Sequence, residues 1–272
     1  MDTILLDLEL ARKLEFAEAE VAVCGAEAMQ QLTPEVGTAV LQVAGGYAVY
    51  CGANSPITQA VGLGLNGPVC AEEFDRLEEF YFSRNEPVRA ETSPLADASL
   101  FALYRERGYG VMEFSNVMVR TIARDERWPE TDGVEIRKAS RQEMDLWTLT
   151  VAQGFAENYP VTEEIIRIMK VFGLSRGMEC YLASVDGKVA GGATLSLRGK
   201  IAGLFGASTL PDFRKRGVQT ALLRARLGRA AEAGCEIGMS LAQPGSHSQR
   251  NISRLGFGTL YTRVKFERSV VA

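Results

Sequence analysis

The sequence predicts a two-domain α/β chain of the α+β, mixed-sheet type, with mostly antiparallel central sheets flanked by helices. Three observations carry this. The chain has 272 residues, room for one large domain or two small ones. Residues 124–133 form a polar stretch with Pro129 and Gly133 but no periodicity, which reads as a linker and divides the chain into 1–125 and 126–272. After it, alternating and helical patterns follow one another in the order β-α-α-β-β-β-α-β-α-β.

The first half reads as strands over 47–51 and 59–65, a helix over 71–83, a short strand over 88–91, a helix over 97–107 and a long strand over 109–119. In the second half, 134–137 alternates like a strand. Ser140 with Glu143 three residues on has the spacing of a capping box, so a helix should run to about Gly154. Thr162, followed by Glu163 and Glu164, starts another helix that ends near Gly173. A meander follows over 179–185, 188–197 and 200–209. Asp186-Gly187 supplies the positive-φ residues of a tight hairpin turn, and Pro211 cannot continue a central strand. Residues 214–233 are rich in Ala, Leu and Arg, strong helix formers, with Val218, Ala221, Leu222 and Ala225 as the expected buried stripe. Gly234 ends this helix. A strand over 235–241, a helix over 246–255 and a strand over 257–267 complete the chain. Both halves close on a helix, a glycine with an aromatic after it (Gly108-Tyr109, Gly256-Phe257) and a long strand, which suggests duplication.

Composition narrows the chemistry. Hydrophobic residues make up 46% and charged residues 24%, the mix of a soluble globular protein. No apolar run reaches the ~18 residues of a membrane span, and the acidic start Met1-Asp2-Thr3 lacks the basic residues of a signal peptide. The cysteines at 24, 51, 70, 180 and 235 are odd in number with no C-x-x-C pair. With a single histidine, His247, this argues against disulfides and metal and for a cytoplasmic protein. The net charge of −4 is uneven. Residues 1–125 hold 9 Lys and Arg against 19 Asp and Glu, and residues 126–272 hold 21 against 15. This is either ordinary variation between two solvated surfaces or the mark of an anionic ligand in the second half. Basic residues do not interleave with aromatics, which argues against nucleic acid.

The segment that carries chemistry is Thr209-Leu210-Pro211-Asp212-Phe213-Arg214-Lys215-Arg216-Gly217-Val218-Gln219-Thr220. A strand stops at a proline, three cations follow, then a glycine, then a helix. The first N–H groups of a helix have no internal partner, the helix dipole adds positive charge there, and the cations add more. Such an arrangement suits a phosphate, although a solvated basic helix start would look the same. A Walker A loop would need Gly-Lys-Ser/Thr, and a dinucleotide fingerprint two further glycines; neither is present.

This segment resembles the acyl-CoA pyrophosphate loop of the GNAT N-acetyltransferases, whose pattern is Q/R-x-x-G-x-G/A. Here it stands as Arg214-x-x-Gly217-x-Gln219, with Gln in the third key position. The strand order of 134–267 and Leu255-Gly256-Phe257 are also similar to the family. The resemblance covers about half the chain. It implies acetyl-CoA as co-substrate, lying between the strand that ends at Thr209 and the strand over 235–241. Pantetheine would pair with backbone at Ala207, Ser208 and Thr209. The pyrophosphate would sit on Arg214, Lys215, Arg216, Gly217, Val218, Gln219 and Thr220, and Asn251 would reach the CoA amides or face solvent. The acceptor would be a primary amine of a small molecule or peptide that attacks the thioester directly.

The resemblance leaves the catalytic side chains less defined. Where the family often places a tyrosine acid, four residues before the Gly of Gly-Phe, this chain has Ile252. Ser248, one turn earlier, is the nearest hydroxyl, and Glu157 sits where an acceptor-binding loop would be. Each is a weak candidate beside its plainer reading, a helix-start serine and a surface carboxylate. His247 reads as a helix-start polar residue. In the first half the corresponding loop is Asn66-Gly67-Pro68-Val69-Cys70-Ala71-Glu72-Glu73, whose carboxylates would repel a pyrophosphate. The expectation is a degenerate GNAT-like domain over 1–125 and a GNAT acetyltransferase domain over 126–272, with a homodimer left open. Ile252 and Gln219 favour the alternative, a non-catalytic acyl-CoA-binding or regulatory module.

Overall fold

The computed structural model describes residues 4–155 and 161–269. They form two compact units. One holds residues up to 118, the short stretch 242–244 and everything from 259 onward; the other holds 119–241 and 245–258.

The first unit begins with α1 (Leu8–Leu32), a 25-residue helix that the sequence reading did not anticipate. Asp7 caps it, accepting from the Leu10 N–H at 2.7 Å. Next come β1 (Ala39–Val43), β2 (Gly46–Tyr50), β3 (Gln59–Val61), α2 (Ala71–Phe82), β4 (Val88–Thr92), α3 (Ala98–Glu106) and β5 (Gly110–Thr121). The expected strand over 59–65 stops at Val61, because Gly62 and Gly64 both adopt positive φ. Leu63 and Leu65 turn inward instead, 1% exposed. Strands β1, β2 and β3 pair antiparallel and β3 pairs parallel with β4. Phe74, Leu77 and Tyr81 of α2 pack with Leu100 and Tyr104 of α3 into the core of this unit.

The second unit contains β6 (Glu135–Lys138), α4 (Met144–Gly154), α5 (Glu163–Leu174), β7 (Met178–Val185), β8 (Lys188–Arg198), β9 (Ile201–Thr209), α6 (Val218–Glu232), β10 (Ile237–Ala242) and α7 (His247–Ser253). The Ser140 N–H and hydroxyl both donate to the Glu143 carboxylate, as the capping spacing predicts. Asp186 and Gly187 turn the β7–β8 hairpin with φ of +52° and +73°. The sheet runs β10-β9-β8-β7-β6. All pairs are antiparallel except β9 with β10. Trp147 and Val151 of α4 fill its core against Cys180 and Leu182 of β7.

Three expectations are corrected. The final strand, β11 (Gly258–Arg268), pairs antiparallel with β4, from Val264 opposite Thr92 to Arg268 opposite Val88. Residues 259–269 therefore leave the expected 126–272 unit for the one built by the first half. The reason is electrostatic as well as apolar: buried Arg263 finds Glu15 and Glu18 of α1 and Glu91 of β4 there, partners too distant in sequence for local patterning to reveal. The long helix begins at Val218, not Arg214, since Lys215 and Gly217 adopt φ of +62° and +80°. Its buried stripe holds Val218, Ala221 and Leu222 but continues through Leu223, Arg226 and Leu227, while Ala225 is only half-buried.

Candidate active site

The site is built where β9 and β10 part. Their parallel pairing runs from Ile201 opposite Ile237 to Gly203 opposite Met239 and no further. Ser240 marks the crotch, its hydroxyl donating to the Leu204 carbonyl at 2.9 Å. Beyond it lies a cavity of about 220 Å³. One wall is β9 at Leu204, Phe205, Gly206 and Ala207, and the opposite wall is β10 at Ser240 and Leu241. Gln219, Leu223 and Arg226 present one face of α6, Ser248 and Ile252 come from α7, and Phe155 follows α4. The lining is mostly apolar with a few placed polar groups, the usual character of a small-molecule site.

At the mouth, the chain leaves β9 through Leu210 and a 3₁₀ turn over Pro211–Phe213. The three cations follow. Lys215 and Arg216 are exposed and Arg214 is half-buried. Arg214 donates to the Gly154 carbonyl at 3.4 Å, and Arg216 pairs with Asp186 at 2.7 Å. Gly217 then serves as the N-cap of α6, and no side chain caps the helix. The first-turn N–H groups of α6, at Val218, Gln219 and Thr220, thus lack intrahelical partners and a capping oxygen. An added Cβ on Gly217 would sit 3.0 Å from the Thr131 methyl. Close packing fixes the end of β9 as well: the Ser208 hydroxyl donates to the Val151 carbonyl at 3.0 Å, and a Cβ on Gly154 would overlap that hydroxyl.

Of the residues singled out from sequence, Ala207, Gln219, Ser248 and Ile252 line the cavity. Thr209 is half-buried, and among the described residues its Oγ1 has no hydrogen-bond partner. Asn251 lies on α7 outside the cavity lining, its Oδ1 accepting from Arg254 at 3.1 Å. His247 is exposed, its Nδ1 2.8 Å from Arg250. Glu157 lies outside the described residues. Sequence reasoning missed Arg226, Phe155 and Ser240. Arg226 was hidden among the helix-forming arginines, where only its i, i+4, i+7 spacing with Gln219 and Leu223 placed it on the cavity face.

Residues 141–257 match the acetyltransferase (GNAT) family. The chain carries a GNAT acetyltransferase domain. Solved structures extend the likeness in fold over most of the chain. A GCN5-related N-acetyltransferase from Kribbella flavida superposes with a TM-score of 0.64 at 15% identity, over 92% of this chain and 96% of that one. A tandem GNAT protein from the clavulanic acid biosynthesis pathway gives 0.59 at 13%, over 84% and 79%. A GCN5-related N-acetyltransferase from Sphaerobacter thermophilus gives 0.53 at 17%, over 68% and 60%. None of the curated proteins matches. The match supports an acyltransferase, and both the loop ahead of α6 and the opening between β9 and β10 lie inside the matched segment. Among the described residues there is no group of three or more His, Cys, Asp or Glu able to hold a metal ion, and no helix is long and apolar enough to cross a membrane.

Proposed function

We propose that the chain transfers an acetyl group from acetyl-CoA to a primary amine of a small molecule or peptide by direct attack. The observation that carries this reading is the continuity of the basic, uncapped start of α6 with the cavity between β9 and β10, because it offers a diphosphate anchor and an acyl cleft in one path. The pyrophosphate rests on the α6 N–H groups with Arg214, Lys215 and Arg216 around it, and pantetheine follows β9 along Ala207, Ser208 and Thr209. At the cleft, backbone N–H groups of β9 polarise the thioester carbonyl while the amine attacks its carbon. The C–S bond breaks and the thiolate leaves. Ser248 supplies a hydroxyl to that sulfur, and Glu157 takes the proton from the amine. The unit of residues up to 118, 242–244 and 259 onward is a degenerate GNAT-like one that binds no CoA. The protein works in the cytoplasm.

Release of free thiol from acetyl-CoA in the presence of a panel of primary amines tests the reading. Turnover with at least one amine is expected. CoA binding without thiol release from any amine would replace it with a non-catalytic acyl-CoA-binding module, the reading that Ile252 at the usual tyrosine position favours.

A further inference from the structure

The wall of the cleft is kinked. Gly192 pairs with Ser208 but Thr194 pairs with Phe205, so β9 carries one residue more than β8 across this interval, a bulge. Gly206 lies in it with φ of +53°. A bulge interrupts the ladder, and its buried carbonyls need other donors. Arg226 of α6 supplies them. Its Nη1 donates to the Thr194 carbonyl at 2.8 Å and to the Phe205 carbonyl at 3.2 Å, and its Nε donates to the Leu222 carbonyl at 3.0 Å. The Thr194 hydroxyl donates to the same Phe205 carbonyl at 2.9 Å.

Arg226 is fully buried, and among the described residues no carboxylate pairs with it. Among the described residues its Nη2 has no hydrogen-bond partner either, and burial pulls its pKa below the ordinary arginine value. A buried cation without a counter-charge carries a large desolvation cost, which hydrogen bonds to carbonyls offset only in part. Stability alone does not explain this arginine. Its position does: it lines the cleft and grips the bulge that shapes it.

We propose that Arg226 and Thr194 are positioning residues for acyl transfer, acting through the Phe205–Gly206 peptide. This rests on the acetyl-transfer reading above. Among the described residues there are no cis peptides, so the Gly206 N–H points opposite to the Phe205 carbonyl. That carbonyl faces Thr194 on β8; the Gly206 N–H therefore faces the β10 side, where the cleft lies. A cation and a hydroxyl on the carbonyl polarise the whole peptide and strengthen its N–H as a donor. The N–H is then both aimed and strengthened toward the thioester oxygen, on which negative charge grows as the amine attacks.

The test compares Arg226→Met, Arg226→Lys and Thr194→Val with the wild-type chain. Turnover, the KM for acetyl-CoA, CoA affinity by calorimetry and melting temperature are measured, with the carbonyl stretch of bound ¹³C-acetyl-CoA as a direct readout of polarisation. Arg226→Met should lower kcat about thirtyfold and move the carbonyl stretch back toward its solution value, with KM and CoA affinity little changed and the melting temperature lowered, because the Thr194 carbonyl loses its donor. Thr194→Val should act in the same direction by about fivefold, and Arg226→Lys should restore part of the loss. A folded Arg226→Met or Thr194→Val with wild-type kcat and carbonyl stretch overturns the proposal. So does a kcat loss matched by an equal loss of CoA affinity, which would mean that the cleft had collapsed. If Arg226→Met does not fold, Thr194→Val decides. A wild-type chain that releases no thiol defeats the acetyl-transfer reading and this inference with it, whereas an active wild type with indifferent variants defeats this inference alone.

Discussion

Arg216 reaches from the loop ahead of α6 to Asp186 in the β7–β8 turn, its Nη2 2.7 Å from the carboxylate. Both side chains are well exposed, and such pairs contribute only ~0–1 kcal/mol. Arg216 can therefore exchange Asp186 for a phosphate at little cost. Charge-assisted contacts to phosphate are worth ~1.5–3 kcal/mol each. The double variant Arg214→Glu/Arg216→Glu should weaken CoA at least about tenfold. Asp186→Asn, which frees Arg216, should tighten it about twofold. Calorimetric titration measures both; CoA affinity untouched by the charge reversal would remove the pyrophosphate from this loop.

Gly217 offers an independent handle on the same loop. Its φ is +80°, and a Cβ would meet the Thr131 methyl at 3.0 Å. Holding a non-glycine residue in this region costs ~1–3 kcal/mol. Gly217→Ala should lower CoA affinity by about an order of magnitude while circular dichroism and the gel-filtration profile stay unchanged. Wild-type affinity in this variant would show that the turn has slack the contact distance denies.

One CoA should bind per chain. In the first unit the loop ahead of α2 turns Leu63 and Leu65 inward, and the Arg12 guanidinium donates to the Leu65 carbonyl at 2.6 Å. Glu72 and Glu73 then occupy the first turn of α2. Apolar side chains fill the loop and carboxylates guard the helix start, so a diphosphate meets repulsion and no open backbone. A titration saturating near one equivalent is expected; saturation at two would show that this loop rearranges.

Much of this was legible in the sequence, for reasons that differ by element. The Asp186-Gly187 turn and the Ser140–Glu143 cap are local chemistry, and both stand where their spacing put them. The basic loop was visible because helix starts and cations are local too. Helix α1 was not read, because its alanines and carboxylates carry no sharp apolar stripe. The place of β11 could not be read at all. Arg263 looks like a surface residue in sequence, and only the fold surrounds it with Glu15, Glu18 and Glu91. Arg226 is hidden for the same reason: a buried arginine and a solvated one have the same letter.

The carboxylates around Arg263 make the stability of the first unit depend on pH. Glu15 is buried, and burial pushes its pKa from 4.5 up to about 7, against the opposing pull of Arg263. Arg263 of β11 pairs with Glu15, with Glu18 of the same helix and with Glu91 of β4, Lys265 joins Glu91 to Glu113 of β5, and the Tyr261 hydroxyl donates to Glu15 at 2.8 Å. A raised carboxyl pKa means that the folded chain holds a proton the unfolded chain has lost. Its contribution is therefore present below about pH 4.5 and is lost as pH rises through 7. The melting temperature of the wild type should fall between pH 5 and pH 8 relative to Glu15→Gln, which cannot titrate there. Parallel curves for the two proteins would place the buried proton elsewhere.

Ile252 is 3% exposed and lines the cleft beside Ser248, one turn away on α7. Isoleucine cannot donate a proton, so the serine is the α7 hydroxyl nearest the proposed path of the sulfur. General acids typically contribute ~10²–10⁴-fold, but a thiol leaves more readily than an alkoxide, and a serine hydroxyl gives up its proton reluctantly. The expected loss is at the low end. Ser248→Ala should lower kcat about tenfold with CoA affinity kept, because the change removes one oxygen and touches no part of the pyrophosphate loop. Ile252→Tyr should restore turnover in the Ser248→Ala background, since the phenol would enter the same cavity one turn further along the helix. Steady-state kinetics on the single and double variants measure both effects. Full activity in Ser248→Ala would assign the proton to water, and a large loss on changing Tyr159 to Phe, two residues after Glu157 and likewise outside the described residues, would with binding intact assign it to a residue of another segment.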